Sequence, residues 1–259
     1  MTTPRILIIA GSDSGGGAGI QADIKTVTML GGHAMTAIAA LTAQNTLGIT
    51  GVMPVPAEFV IEQMDACISD IGVDAVKIGM IGSPETVHAV ADRLEQLAVP
   101  IVFDPVMVAT SGSVLADDAT IAAFSRLMRM ALVVTPNIPE LEALGGEAAV
   151  LAHGCHLLAK GGHAEGDSVL DRLLAPSGDV LASVEGERLN TVHTHGTGCT
   201  LATALATGLG AGLEIERAFE QAVRFTRRAI EQAPGLGQGH GPLGQQNVTN
   251  FLEGERDSG

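Results

Sequence analysis

The chain has 259 residues, 46% apolar and 17% charged, which suffices for a sizeable core and excludes disorder as the dominant state. Lys and Arg total 14 against 29 for Asp and Glu, a formal charge of −15, and Trp and Tyr are absent with 6 Phe. That balance argues against nucleic acid, which needs clustered cations and stacking platforms. An anionic substrate must instead be held by local backbone donors and a few cations, because the global field repels it. Three widely spaced cysteines, Cys67, Cys155 and Cys199, give no disulfide framework and point to a reducing compartment, here expected to be the cytoplasm.

In chain order, Ile6–Ala10 reads as a first buried strand, too short for a signal-peptide core. Residues 35–55 fit no clear alternation, with Thr50–Val55 a candidate edge strand. Asp74–Gly79, Ile101–Phe103, Leu132–Thr135 and His156–Lys160 read as further buried strands. Helical spacing covers Glu58–Ile71, Pro84–Leu97, Asp117–Met130 and Pro139–Glu147, and Ser83-Pro84 is a capped helix opening. Gly196–Leu213 carries no charge and approaches membrane-spanning length. Its Gly and Thr content, and the Glu214, Glu216 and Arg217 that follow, favour a buried helix. The alternation predicts an α/β fold with a mainly parallel sheet covered on both faces, as one domain over 1–242. A mobile tail is expected from 243 to 259.

Four segments carry potential chemistry. Ala10–Asp23 is Gly-rich and directly follows the first strand. Gly17–Ala22 matches a dinucleotide fingerprint formally, but the strand is expected to end too early and no ribose-binding acid follows. The run has no phosphate-loop sequence either. Ordering four glycines in five positions is costly, so close approach of a ligand is expected there. Thr194-His-Gly-Thr-Gly-Cys-Thr200 precedes a smooth helix, so its N–H groups can point at one anion. Cys199 then falls in the first turn, where a depressed thiol pKa is expected. Thr135–Glu140 offers Asn137 and Glu140 as hard oxygen donors at a strand end. Lys160-Gly-Gly-His163 offers a phosphate clamp. Each has a bland alternative: a flexible connection, a buried cysteine, an Asn turn with a helix-opening carboxylate, and a surface lysine. The paired histidines at 153/156 and 193/195 lack a second cluster at zinc-site spacing.

Taken together these segments resemble the hydroxymethylpyrimidine/phosphomethylpyrimidine kinases of the ribokinase-like superfamily. The likeness runs from Ile6 to Pro242 and includes Ala43-Gln-Asn-Thr46, Val76-Lys-Ile-Gly-Met80, Asp104-Pro-Val-Met107 and Val134-Thr-Pro-Asn137. Cys199 is distinctive, because most sugar kinases of the superfamily carry Asp there. The resemblance implies a three-layer sandwich and ATP- and Mg²⁺-dependent phosphorylation of 4-amino-5-hydroxymethyl-2-methylpyrimidine, then of its monophosphate, in thiamine biosynthesis. It implies Gln44, Gly11, Ala18, Asp23, Met80 and Val106 around the pyrimidine, and Asn137, Lys160 and Thr197 on the nucleotide phosphates. It further implies Glu140 and Asp104 at the metal, Gly196–Cys199 as an anion hole with Cys199 as general base, and a homodimer. Thr110 and His193 depart from the usual Lys and Asn. A pyridoxal or related vitamin kinase, a cysteine hydrolase and a silent pyrimidine-binding regulator are the competing readings.

Overall fold

A computed structural model describes residues 2–109, 112, 115–161 and 167–252. Among the described residues nine strands form one sheet: β1 (Arg5–Asp13), β2 (His33–Asn45), β3 (Gly48–Pro54), β4 (Ala75–Ile78), β5 (Ile101–Phe103), β6 (Val133–Val134), β7 (His156–Ala159), β8 (Ser168–Leu174) and β9 (Val180–Glu187). Their order is β3-β2-β1-β4-β5-β6-β7-β8-β9. The six from β2 to β7 are parallel, and β3, β8 and β9 join antiparallel.

Alternation along β1 separates two cores. Leu7 and Ile9 pack toward α2 (Ala57–Asp70), α3 (Pro84–Leu94) and α4 (Asp118–Met130). Ile6 and Ile8 pack toward α1 (Gly19–Met29), α7 (Thr197–Gly210) and α8 (Ile215–Glu231). Both faces of the parallel strands are therefore covered, giving the three layers and ribokinase-like architecture that the resemblance implied. The uncharged stretch is α7, buried throughout from Thr200 to Gly208, and no described helix is long and apolar enough to cross a membrane.

The chain runs from β1 to β2 on one side and later places β4 on the other, so the strand order reverses at β1. A crevice opens outside the carboxyl ends of strands at such a reversal. β1 extends three residues past the expected end at Ala10, through a register shift, because Ser12 and Asp13 pair with Leu41 and Thr42 of β2. β2 itself and the β8–β9 hairpin were not anticipated. Their exposed and buried positions mix polar and apolar residues; β8 and β9 hold no apolar run longer than three residues, and the alanine-rich run Ala37–Leu41 of β2 reads as helix as readily as strand. Thr50–Val55 does fall on an edge strand, β3. The single helix expected over Pro139–Glu147 is instead two short ones, α5 (Ile138–Ala143) and α6 (Glu147–Leu151). Gly145 and Gly146, at φ +91 and +87, break it between them.

The expected mobile tail is corrected over 243–252. Leu243, Gln245, Val248 and Phe251 are buried, the Gly244 N–H donates to Ala229 O, and Gln245 Nε2 donates to Thr200 Oγ1. Phe251 meets Phe225 edge to face at 5.4 Å, with the Arg228 guanidinium 5.7 Å above its ring. The apolar side chains of Leu243, Val248 and Phe251 reward packing on α1 and α8 more than freedom rewards the coil. Residues 253–259 lie outside the described residues. Phe251→Ala should lower unfolding free energy by about 3 kcal/mol in urea titration, the usual cost of emptying a buried aromatic site. A loss below about 0.5 kcal/mol, typical of a surface change, would contradict this packing.

Candidate active site

A cavity of about 940 Å³ lies at the strand-order reversal, walled by the ends of β1, β4 and β5, the start of α7 and the β8–β9 hairpin. Its wall takes a particular form because one carboxylate gathers two loops. Asp13, the last residue of β1, accepts N–H bonds from Gly15, Gly17 and Ala18 and a fourth bond from His195 Nε2, all at 2.8–2.9 Å. Burial opposes its charge, but the His195 bond and the Ala18 and Gly15 amides outweigh it and hold the carboxyl below its ordinary value. The two loops then touch backbone to backbone. A Cβ added to Gly196, whose φ is +93, would fall 1.9 Å from Gly17 O, so glycine is required by both space and conformation.

Gly196 caps α7, which places the Thr197, Gly198 and Cys199 amides in the first turn, open toward the cavity. Cys199 borders that cavity, but burial pushes its thiol up to about 11. Lys77 and the Gly19 backbone pull the other way, while Asp23 and Asp104 add to the rise. The depressed pKa expected at this helix start is thus corrected: burial, with Asp23 and Asp104, outweighs Lys77 and the Gly19 backbone.

Beneath Cys199 lies an interaction absent from the sequence reading. Lys77, fully buried in β4, donates to both oxygens of Asp23 at 2.9 and 3.1 Å. Thr203, one turn beyond Cys199 on α7, donates to the same carboxylate at 2.6 Å. Burial works against the Lys77 charge, but Asp23, with Cys199 and Asp104 nearby, holds it protonated above its ordinary value. Asp23 is consequently corrected as a pyrimidine contact. Its carboxylate is spent on Lys77 and Thr203 and does not reach the cavity wall, where Lys77 does. The signal was present, since a lysine inside a buried strand run demands an acidic partner.

The other implied pyrimidine residues, Gln44, Gly11, Ala18, Met80 and Val106, all line the cavity. Gln44 stands at a register shift between β2 and β3 that re-aims its side chain. On the far side, Lys160 donates to Asp104 Oδ1 at 2.9 Å, and Thr135 donates to the same oxygen at 2.9 Å. Burial opposes the Lys160 charge, while Asp104 and Glu140 raise its pKa. Asn137 caps α5, its side chain accepting from Glu140 N–H while Glu140 Oε2 accepts from Asn137 N–H. Burial pushes Glu140 up to about 7, with Lys160 lowering it and Asp104 raising it. Asp171 of β8 joins this wall and accepts the Gly161 N–H at 2.9 Å, a residue the sequence reading missed. Thr110 and His163 lie outside the described residues.

Asp104 and Glu140 are oxygen donors whose charges disfavour one another, which suits a hard divalent cation. Among the described residues no group of three or more His, Cys, Asp or Glu side chains converges to cage a metal. Mg²⁺ does not need such a cage, because it keeps water and takes one or two carboxylates together with substrate phosphates. The residues present fit it.

This fold and site define a small-molecule kinase of the ribokinase-like class. The family described as phosphomethylpyrimidine kinase matches residues 13–244, and the chain belongs to it. A hydroxymethylpyrimidine/phosphomethylpyrimidine kinase from Rhizobium meliloti is 46% identical, covering 93% of this chain and 96% of that protein. A phosphomethylpyrimidine kinase structure from Clostridium difficile matches with TM-score 0.75 and 33% identity, over 88% of this chain and all of that one (100%). The ADP complex of a Bacillus subtilis pyridoxal kinase matches with TM-score 0.86 and 28% identity, over 95% and 99%.

Glu140 gives a prediction with a definite sign. A carboxyl whose folded pKa of about 7 exceeds its unfolded value of 4.5 favours folding while protonated, and this contribution is lost as pH rises from 4.5 through 7. Glu140→Gln, which keeps the oxygen that accepts from Asn137, should raise the melting temperature of ligand-free protein at pH 8 and change it little at pH 5. A gain of equal size at both values would contradict the charge argument.

Proposed function

We propose that this chain transfers a phosphoryl group from ATP to 4-amino-5-hydroxymethyl-2-methylpyrimidine and then to the resulting monophosphate, as a step of thiamine biosynthesis. The observation that carries this reading is the convergence on one cavity of the α7 amides, the Lys160–Asp104–Glu140 cluster and the Gln44 amide. The first is an anion site, the second a cation-bearing phosphate site and the third a recognition group with donor and acceptor. A largely dissociative phosphoryl transfer asks for positioning and charge neutralisation more than covalent chemistry.

In this reading Gln44 holds the pyrimidine edge, with Met80, Val106, Gly11 and Ala18 around it. Lys160, Asn137 and Thr197 hold the nucleotide phosphates, and the Gly196–Cys199 amides receive the transferred group. Asp104 and Glu140 would hold Mg²⁺, which neutralises phosphate charge when bound. In the first transfer the hydroxymethyl oxygen forms a bond to the γ-phosphorus as the bond from that phosphorus to ADP breaks. The alcohol proton passes to the Cys199 thiolate. With a thiol near 11, that thiolate is a minor species at neutral pH, and its fraction climbs with pH. The monophosphate acceptor is already ionised, with a second pKa of about 6 by analogy with phosphoserine, and needs no base.

The structural likeness to pyridoxal kinases favours pyridoxal as a second acceptor. Three free cysteines support a reducing, cytoplasmic setting. Met53 of β3 and Phe59 of α2 are exposed at the sheet edge, which supports a homodimer closed across that edge; sedimentation as a monomer would overturn it.

The experiment is a pair of ATP-consumption assays, one per pyrimidine acceptor, with pyridoxal for comparison. Transfer to the alcohol should climb from pH 7 to 9 and fall about 100-fold or more in Cys199→Ala, as expected on losing a positioned base. Transfer to the monophosphate should stay nearly flat with pH and survive the substitution. Equal losses in both would remove the base from the mechanism. Turnover of pyridoxal alone would overturn the pyrimidine assignment, and no turnover of any acceptor would leave a binding protein.

A further inference from the structure

The side-chain amide of Gln44 lies between two partners, its nitrogen 3.2 Å from His195 Nε2 and its oxygen 3.0 Å from Thr42 Oγ1. Each partner atom has a single hydrogen to give. The Asp13 carboxylate is an acceptor only, so His195 Nε2, 2.9 Å away, donates to it. With its hydrogen in that direction, Nε2 offers no lone pair to an amide N–H. The Thr42 hydroxyl is likewise committed, because it lies 3.0 Å from the Ser12 carbonyl oxygen, to which it can only donate. It therefore meets the amide as an acceptor. Both constraints demand the same arrangement, in which the amide is turned by half a rotation about its last bond. The carbonyl oxygen then shares the His195 hydrogen, and the NH₂ group donates to Thr42.

We propose that His195, clamped by Asp13, is a positioning residue that fixes which end of the Gln44 amide presents the donor and which the acceptor to the cavity. After its two protein contacts the amide retains one N–H and one lone pair. In a fixed order, that pair matches the ring nitrogen and neighbouring amino group of an aminopyrimidine in one orientation, and a reversed amide would take the same edge turned over. This consequence rests on the reading of Gln44 as the pyrimidine-binding residue, whereas the His195–Gln44 contact itself does not.

The test uses the full chain, ¹⁵N-labelled and without substrate, with the Gln44 NH₂ resonances assigned by their disappearance in Gln44→Leu. His195→Leu should shift those resonances toward the values of an unrestrained amide. His195→Gln, whose own NH₂ can reach both Asp13 and Gln44, should restore them. His195→Phe keeps the ring without the donor and replaces the Leu variant if that one does not fold. Unchanged Gln44 resonances in a folded donor-less variant would overturn the proposal. In kinetics, His195→Leu should raise KM for the aminopyrimidine alcohol about tenfold, the usual effect of one lost hydrogen bond, and by a larger factor than KM for ATP, which feels only the loosened loops. Added to Gln44→Leu, it should raise the pyrimidine KM by a smaller factor than in the wild-type background, leaving only the part that passes through the loops. An effect of the same size in that background would overturn the proposal, since His195 would then act through loop structure. Shifted resonances with an unchanged pyrimidine KM would support the contact and overturn Gln44 as the pyrimidine residue.

Discussion

The site depends on a single carboxylate at the end of the first strand. Asp13 accepts four hydrogen bonds, three from the glycine-rich loop and one from His195, which lies 182 residues further along the chain. Each bond from an N–H to an ionised carboxylate is stronger than its neutral counterpart. Together they fix the loop ahead of α1 against the loop ahead of α7, with Gly196 packed on Gly17. The first-turn amides of α7 and the cavity wall that carries Gln44 are thereby set relative to one another before any ligand arrives. Pre-organisation of this kind spares the transferred group the cost of rearranging its surroundings.

A chain with a formal charge of −15 must bind polyanions against its own field. The cavity achieves this locally. Lys77 is buried and Lys160 nearly so, each is fixed by an acidic partner, and both line the cavity. Breaking such a buried pair by deleting one partner leaves an uncompensated charge, which costs several kcal/mol, about 3–5. The cations are therefore held in place more firmly than surface lysines, and the carboxylates that hold them also raise the pKa of Cys199. In the proposed mechanism, a base with so high a pKa accepts a proton readily but is seldom free to do so. Burial, with Asp104 nearby, disfavours the charged form of Glu140, a cost that a divalent cation would relieve.

Much of the fold was legible because the central strands are short apolar runs and α3, α4 and α5 open with side-chain caps. Ser83 accepts from the Thr86 N–H and Asp117 from the Thr120 N–H, as capped openings should. β2, β8 and β9 escaped because half-exposed strands carry mixed residues whose period competes with that of a helix. The cavity lining was legible at Gly196–Cys199 and Lys160, where glycines or a rare cation punctuate strand ends, while Gln44 was reached only through the family resemblance. It was not legible where partners come from distant segments. Asp23 was misplaced because sequence does not distinguish a carboxylate facing a ligand from one beneath it, held by a lysine 54 residues away. His195 stood within a motif whose glycines drew the attention, and its role needs Asp13 and Gln44 beside it.

Hydrogen exchange of backbone amides in Asp13→Asn tests the central constraint most directly. The substitution keeps the shape of the side chain and replaces one acceptor oxygen by a donor, facing N–H groups it can no longer receive. Exchange should accelerate at Gly15, Gly17 and Ala18 and in the first turn of α7 together, while β1, β4 and β5 keep wild-type protection. Unchanged exchange at both loops, or acceleration confined to residues 14–18, would show that Asp13 does not join the two halves of the site.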